Sequence, residues 1–141
     1  MIRPTGTNTL PWLLLIEDSN GDALLLKTAF TIAGVAVNVG VAVNGEDALR
    51  WLEKLAHSEP ALHPDLIVLD LNLPLVSGFE LLEFLAGESR LRVPVIVLTT
   101  SAHGSERCTQ FGVADYLVKP SNFDGYLEIA KRLGQALPHA A

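Results

Sequence analysis

Side chains that can carry phosphoryl chemistry follow several short apolar runs of this 141-residue chain. The acids Glu17 and Asp18 follow one run, Asp70 follows another, and two later runs end at Thr99 and Lys119. Carboxylates that share a crevice repel each other, and a hard cation such as Mg²⁺ relieves that repulsion because it prefers oxygen ligands. An ammonium and a hydroxyl beside them can contact phosphate oxygens. The residue types therefore indicate a magnesium-dependent phosphoryl site.

Asp70 has the position expected of the reacting group. It ends the apolar run 66–69, which His63-Pro64 precedes and which Pro74 closes from the other side. A run this short and this apolar predicts a strand that is buried on both faces. Ligands of open parallel sheets bind beyond the carboxyl ends of the strands. Because a carboxylate that attacks phosphorus forms an aspartyl-phosphate, we expect Asp70 to be the phosphoacceptor.

The elements that must position these residues alternate between strands and helices. Apolar residues at helical spacing follow four of the five short apolar or alternating runs, which favours strand–helix units. The segment 102–111, after the fourth run, has only Cys108 and Phe111 as larger apolar residues and predicts a weak, short helix. Such units favour a doubly wound parallel sheet, because parallel neighbours are joined by right-handed helical crossovers. The predicted class is α/β with helices on both faces. Strands are predicted over 12–16, 35–42, 66–69, 95–98 and 114–118, and helices over about 20–33, 46–57, 79–87, 102–111 and 123–137.

Length, charge and cysteine usage narrow the class of protein. The length suits one domain over residues 11–137, with a flexible lead-in over 1–10, a tail over 138–141 and no effector domain. The net charge of −6 disfavours binding to nucleic acid or to an anionic membrane. Cys108 stands alone, so we expect a buried free thiol and no intrachain disulfide. No signal peptide or membrane span is predicted, which favours the cytoplasm.

In this order and at these strand ends, the residues resemble the receiver domain of response regulators in two-component signalling. The stretches 17–22 and 98–101 are most similar to stand-alone regulators that partner bacterial phytochrome histidine kinases. The resemblance covers residues 11–137. The residues that carry it are Glu17-Asp18, the turn from Asp70 to Pro74 with Gly78 beyond it, Thr99 with Thr100, Tyr116, and Lys119-Pro120.

The resemblance implies a metal site and a reacting carboxylate. It implies that Asp70 accepts a phosphoryl group from a kinase histidine, and that Asp18 and Asp70 bind Mg²⁺ directly. Asn72 would add its backbone carbonyl to the metal, and Glu17 would hold the metal through water. The flavodoxin-like strand order 2-1-3-4-5 is expected for this five-stranded parallel sheet.

The resemblance also implies how the site signals. Lys119 would contact the phosphate, and a cis peptide between Lys119 and Pro120 would direct its ammonium. Thr99 and Tyr116 would form the switch, the hydroxyl moving toward the phosphate while the aromatic ring swings inward. The stretch between Thr99 and Lys119 is shorter than is common in the family, and its helix contains few large apolar residues.

The expected partners follow from this interpretation. They are a sensor histidine kinase, with a bacteriophytochrome as the expected class, and a downstream protein or phosphotransfer partner of a phosphorelay. The chain itself is not expected to be an enzyme. The last helix has a wider apolar arc than a surface helix needs, so we predict a homodimer through Tyr126, Ile129 and Leu133. The alternative is a helix that packs more deeply in its own fold.

Other functions of the same fold fit the residues less well. A phosphohydrolase with an aspartyl nucleophile would need a second acid two residues after Asp70, where this chain has Asn72. A flavin-binding module would need a phosphate loop after the first strand, where Glu17 and Asp18 would repel a phosphate. A receiver-like docking module that works without phosphorylation remains as the alternative, although no site residue is missing.

Overall fold

The structure of this chain is a computed structural model that describes residues 10–138. Most of the predicted lead-in over 1–10 and of the predicted tail over 138–141 lies outside the described residues. Within residues 10–138, no helix is both long enough and apolar enough to cross a lipid bilayer.

Five parallel strands form a single sheet in the order β2-β1-β3-β4-β5, which confirms the predicted fold class and strand order. The second strand begins at Asn38, later than predicted, because the backbone N–H of Val35 donates to the carbonyl of Phe30 and closes the end of the preceding helix. The strands are β1 (Trp12–Ile16), β2 (Asn38–Ala42), β3 (Leu66–Leu69), β4 (Val95–Thr99) and β5 (Asp115–Val118).

Five α-helices connect and cover the strands. In the four longer helices a Ser or Asn side chain at the N-cap accepts a backbone N–H of the first turn, so each helix begins where the sequence offers a cap. A short 3₁₀ turn, Pro60–Leu62, precedes β3. The helices are α1 (Asn20–Ala33), α2 (Gly45–Ala56), α3 (Gly78–Gly87), α4 (Ser105–Thr109) and α5 (Phe123–Ala136).

The fourth helix is shorter than the predicted helix over 102–111. It has only five residues, and the segment before it is a loop tied down by the side chain of Tyr116. Gly112 follows it with a positive φ of 72°, a conformation that turns the chain toward β5. Cys108 of this helix is a buried free thiol, as predicted.

The sheet is buried between two apolar layers. Side chains alternate along β1, so that Leu13 and Leu15 pack in the layer formed with α1 and α5, while Leu14 and Ile16 pack in the layer formed with α2 and α3. Burial on both faces explains why β1, β3 and β4 are almost wholly apolar. Polar side chains are therefore confined to the strand ends.

The predicted dimer surface on α5 is wrong. Tyr126, Ile129 and Leu133 are buried, at 4%, 9% and 0% exposure, in the apolar layer that α5 shares with α1 and the sheet. Helix α5 contacts a neighbouring helix as well as the sheet, so its own fold uses the whole of its wide apolar arc. The alternative, a helix that packs deeply in its own fold, is correct.

Candidate metal and phosphoryl site

Glu17 and Asp70 lie side by side because their strands are neighbours in register. Ile16 of β1 pairs with Leu69 of β3, and the backbone N–H of Asp70 donates to the carbonyl of Ile16 over 3.0 Å. Both carboxylates are buried, whereas Asp18 is exposed at the rim. One oxygen from each of the three acids lies within 4.8 Å of the others. The structure thus brings together the three predicted acids.

Lys119 reaches this cluster from the end of β5. Its backbone N–H donates to the carbonyl of Thr99 over 2.8 Å, which continues the pairing of β5 with β4. Its Nζ lies 2.7 Å from Oε1 of Glu17 and 2.8 Å from Oδ2 of Asp70, and its side chain is only 7% exposed. The ammonium therefore supplies the positive charge that the buried acids require.

The prediction of a cis peptide between Lys119 and Pro120 is wrong. The described part of the chain contains no cis peptide bond. The trans peptide already lets Nζ reach Glu17 and Asp70, because the hydrogen bond of Lys119 to Thr99 fixes where β5 ends. The direction of the ammonium does not require the cis isomer.

Burial and hydrogen bonds act in opposite directions on the pKa of Glu17, and they also do so on the pKa of Lys119. Burial raises the pKa of the Glu17 carboxyl to about 7, although the hydrogen bond from Lys119 opposes the rise. Burial acts to lower the pKa of Lys119, but hydrogen bonds to Asp22, Asp70 and Glu17 outweigh it and leave the pKa above its usual value. The Lys119 ammonium thus stays charged, whereas burial disfavours the ionised form of the Glu17 carboxyl beside it.

Asp22 also contacts the ammonium, and the sequence interpretation did not assign it to the site. Its Oδ2 lies 2.7 Å from Nζ of Lys119, and its side chain is 33% exposed. Asp22 stands in the first turn of α1, where its backbone N–H donates to Oγ of the N-cap Ser19. An acid four residues after Asp18 was the available signal, but a first-turn acid is also an ordinary feature of helices.

Thr99 lies at the same edge, and Asn72 connects it to Asp70. The backbone N–H of Asn72 donates to Oδ1 of Asp70 over 3.0 Å, and its side-chain Nδ2 donates to Oγ1 of Thr99 over 3.3 Å and to Oγ1 of Thr100 over 3.4 Å. Thr99 is fully buried. Asn72 therefore links the Asp70 carboxylate to the buried Thr99 hydroxyl. The sequence interpretation had assigned no role to its amide side chain.

The hydroxyl of Tyr116 fastens the loop between β4 and α4. It donates to the carbonyl of Ser101 and accepts the backbone N–H of Gly104 over 3.2 Å. A Cβ at Gly104 would lie 3.0 Å from this hydroxyl and 3.0 Å from Cδ1 of Leu71, so a larger residue would press on the ring. The ring is partly buried and turned toward the loop that follows Thr99.

Gly78 lets α3 begin directly behind the site. A Cβ there would lie 2.5 Å from Cα of Leu71 and 2.8 Å from the carbonyl oxygen of Asp70, which only a glycine avoids. Its backbone N–H donates to the carbonyl of Leu71 over 3.1 Å. The turn after Asp70 is thereby fixed against the start of the helix.

The donor set fits a hard divalent cation. Glu17, Asp18 and Asp70 offer only carboxylate oxygens, the ligand type that Mg²⁺ and Mn²⁺ favour. Two of these acids are buried, so their charge needs compensation, while the exposed Asp18 leaves one side open to water. Lys119 and Thr99 stand beside the cluster with donors suited to phosphate oxygens.

Comparison with known proteins points to one family. Residues 13–131 match the family model described as a response regulator receiver domain. The chain is 36% identical over 115 residues to the probable methanogenesis regulatory protein FilR2 of Methanothrix harundinacea, and the match covers 79% of this chain and 74% of that protein. It is 33% identical over 113 residues to the response regulator Rcp1 of Synechocystis, with 78% and 77% covered.

Two solved structures have closely similar folds. The Mn²⁺-bound form of Rcp1 superposes with a TM-score of 0.77 at 28% identity, covering 92% of this chain and 99% of that one. The phosphorylated cyanobacterial phytochrome response regulator RcpA superposes with a TM-score of 0.78 at 28% identity, covering 94% of this chain and 96% of that one.

Proposed function

This chain belongs to the family of response regulator receiver domains, and from that premise we propose that Asp70 accepts a phosphoryl group from a sensor histidine kinase. The observation that carries the proposal is that Asp70 belongs to the acid cluster while its Oδ2 lies 2.8 Å from the ammonium of Lys119. In the transfer, an oxygen of Asp70 forms a bond to phosphorus as the bond from phosphorus to the histidine nitrogen breaks. The imidazole leaves, and the product is an aspartyl-phosphate.

The acid cluster would hold one Mg²⁺. Asp18 and Asp70 would bind it directly, Asn72 through its backbone carbonyl, and Glu17 through water. When bound, the ion would offset the negative charge of the phosphoryl oxygens. The manganese-bound structure of Rcp1 and the phosphorylated structure of RcpA support a divalent cation and a phosphoryl group in this family.

The remaining site residues would bind the phosphoryl group and transmit its presence. Lys119 would donate to one phosphoryl oxygen and Thr99 to another. Because Asn72 holds the hydroxyl of Thr99, movement of that hydroxyl toward the phosphate would break a hydrogen bond at the start of the loop that Tyr116 fastens. Thr99 and Tyr116 would therefore act together as the switch.

The output would be a protein contact in the cytoplasm rather than catalysis on a further substrate. The similarity to the phytochrome response regulator RcpA supports a bacterial phytochrome kinase as the donor. The recipient would be a downstream or phosphorelay protein. Dimerisation through Tyr126, Ile129 and Leu133 forms no part of this proposal, because those side chains are buried.

The test is the intact mass of the protein after incubation with acetyl phosphate and Mg²⁺. We expect the parent to gain one phosphoryl group and Asp70→Asn to gain none. Asp65→Asn is the matched control, because Asp65 precedes the same strand at its opposite end and its Oδ2 accepts the backbone N–H of Trp12, which an amide oxygen can also do. A parent that gains no mass, or an Asp70→Asn variant that gains as much as the parent, would favour the docking module that works without phosphorylation.

A further inference from the structure

The ammonium of Lys119 is held by three carboxylates that have different fates in the proposed function. An ammonium has three N–H donors, and Glu17, Asp22 and Asp70 each offer it an oxygen at 2.7, 2.7 and 2.8 Å. Glu17 and Asp70 belong to the acid cluster that fits a cation, whereas Asp22 does not. A cation in the cluster thus competes with Lys119 for two of its three acceptors and leaves the third.

When a cation competes for Glu17 and Asp70, water cannot easily replace these acids as partners of the Lys119 ammonium. The Lys119 side chain is 7% exposed, and a buried charge without a partner is strongly unfavourable. Asp22 is attached to the first turn of α1 rather than to a strand end, and its Ser19 cap fixes the turn that carries it. It can therefore keep its contact with Nζ while the strand-end acids turn to a cation.

We propose that Asp22 is a positioning residue for the phosphoryl site, which retains the Lys119 ammonium when Glu17 and Asp70 bind the cation. The contact with Asp22 keeps Nζ of Lys119 beside Asp70, and the other N–H donors of Nζ are then available for a phosphoryl oxygen. Without Asp22, the ammonium would have only Glu17 and Asp70 as acceptors, and a bound cation would compete with it for both. Removal of Asp22 should therefore weaken the affinity for Mg²⁺. This inference rests on the proposed function only for the identity of the cation.

An acid in the first turn of a helix also stabilises the helix, and this effect must be separated from positioning. Asp22→Ala and Asp22→Asn lose the negative charge equally, but Asn keeps an oxygen that can accept a hydrogen bond from Nζ. Asp124→Ala is the matched control, because Asp124 is the first-turn acid of α5 and forms no ion pair with Lys119. A helix effect alone would appear in all three variants.

The experiment is a calorimetric Mg²⁺ titration of the parent and the three variants without any phosphodonor. We expect Asp22→Ala to bind Mg²⁺ at least about tenfold more weakly, the equivalent of losing one hydrogen bond to a charged group, and Asp22→Asn to lie between Asp22→Ala and the parent. Asp124→Ala should bind as the parent does. Equal affinity of the parent and Asp22→Ala, or equal losses in Asp22→Ala and Asp22→Asn, would overturn the proposal.

A second measurement follows the ammonium itself. Labelling with an amine-reactive reagent at saturating Mg²⁺, read by peptide mass spectrometry, should modify Lys119 faster in Asp22→Ala than in the parent. The exposed Lys131 serves as the internal reference in each sample. An unchanged Lys119 rate would overturn the positioning role. Phosphorylation is absent from both measurements, so a failure of Asp70 to accept phosphate would not be mistaken for a failure of Asp22.

Discussion

Replacing Lys119 by Met should make the stability of the protein depend on Mg²⁺. The substitution keeps an unbranched side chain of similar length but removes the positive charge that Glu17, Asp22 and Asp70 surround. Glu17 and Asp70 would then share a buried site without a counter-charge. We expect the free energy of unfolding to fall in a metal-free buffer and to recover when Mg²⁺ is added.

The magnitude follows from the distances in the cluster. Each contact of 2.7 to 2.8 Å is an attraction of about 6 kcal/mol at an effective dielectric constant near 20, before desolvation and the repulsion among the acids are subtracted. Loss of one partner from a buried ion pair costs about 3 to 5 kcal/mol. Because the Glu17 carboxyl already has its pKa raised to about 7, it can take up a proton and keep the loss near the lower end.

Mg²⁺ should stabilise the variant more than the parent, since no ammonium competes for Glu17 and Asp70. At a concentration of 100 times the dissociation constant, the ion adds about 2.7 kcal/mol to the free energy of unfolding. Most of the loss caused by Lys119→Met would thus be regained.

The assay is urea unfolding followed by circular dichroism, in EDTA and in saturating Mg²⁺. Lys131→Met is the matched control, because the Lys131 side chain is exposed and its Nζ forms an ion pair with the exposed Glu128 at 3.5 Å. The stability of this variant should change by less than about 0.5 kcal/mol. If Lys119→Met unfolds at the same urea concentration as the parent in EDTA, or if Mg²⁺ stabilises both proteins equally, the assigned role of the ammonium is incorrect.

Two further substitutions test how the site and its supporting layer are packed. Gly45→Ala would place a Cβ 1.7 Å from the carbonyl oxygen of Val76, so it should cost about 3 kcal/mol or more by urea unfolding and slow phosphorylation by acetyl phosphate. The control is Gly21→Ala in α1, whose Cβ would have its nearest atom at 3.8 Å; it should not slow phosphorylation and should raise the stability by up to about 1 kcal/mol, because Ala favours a helix over Gly. Leu133→Ala should cost about 2 to 5 kcal/mol because the side chain is fully buried, whereas the exposed Ile32→Ala should cost less than about 0.5 kcal/mol. A Leu133→Ala variant as stable as the parent would contradict the burial of this side chain in the apolar layer that α5 shares with α1 and the sheet.

The acid cluster was predictable because it depends on a general property of parallel sheets. The apolar runs that end at Ile16 and Leu69 are short, which favours buried strands, and parallel strands place their carboxyl ends at one edge. The residues that follow, Glu17 and Asp70, must then meet there. Lys119 could be assigned for the same reason, since β5 ends at Val118.

The surroundings of α5 were not predictable from its sequence. The apolar arc of a helix shows how much of its surface avoids water, but not which neighbours cover it. Helix α5 packs against both α1 and the sheet, so Ile129 and Leu133 are buried in the monomer. The isomer of the peptide bond before Pro120 was also not predictable from the sequence, because the free energies of the cis and trans forms before proline differ by only about 0.5 to 1 kcal/mol.

The position of Lys119 explains how the site can be folded and still be ready for a metal ion. Two buried carboxylates would destabilise a sheet edge that contained no cation, and the ammonium provides the missing charge from the end of β5, which lies two strands away from β3. Since the ammonium is attached to a long side chain with three donors, it can give up Glu17 and Asp70 without leaving the edge of the sheet. Asp22 provides the place where it remains. The site therefore need not be assembled when the ion binds, because its acids are already side by side and binding exchanges the partners of Lys119, Glu17 and Asp70.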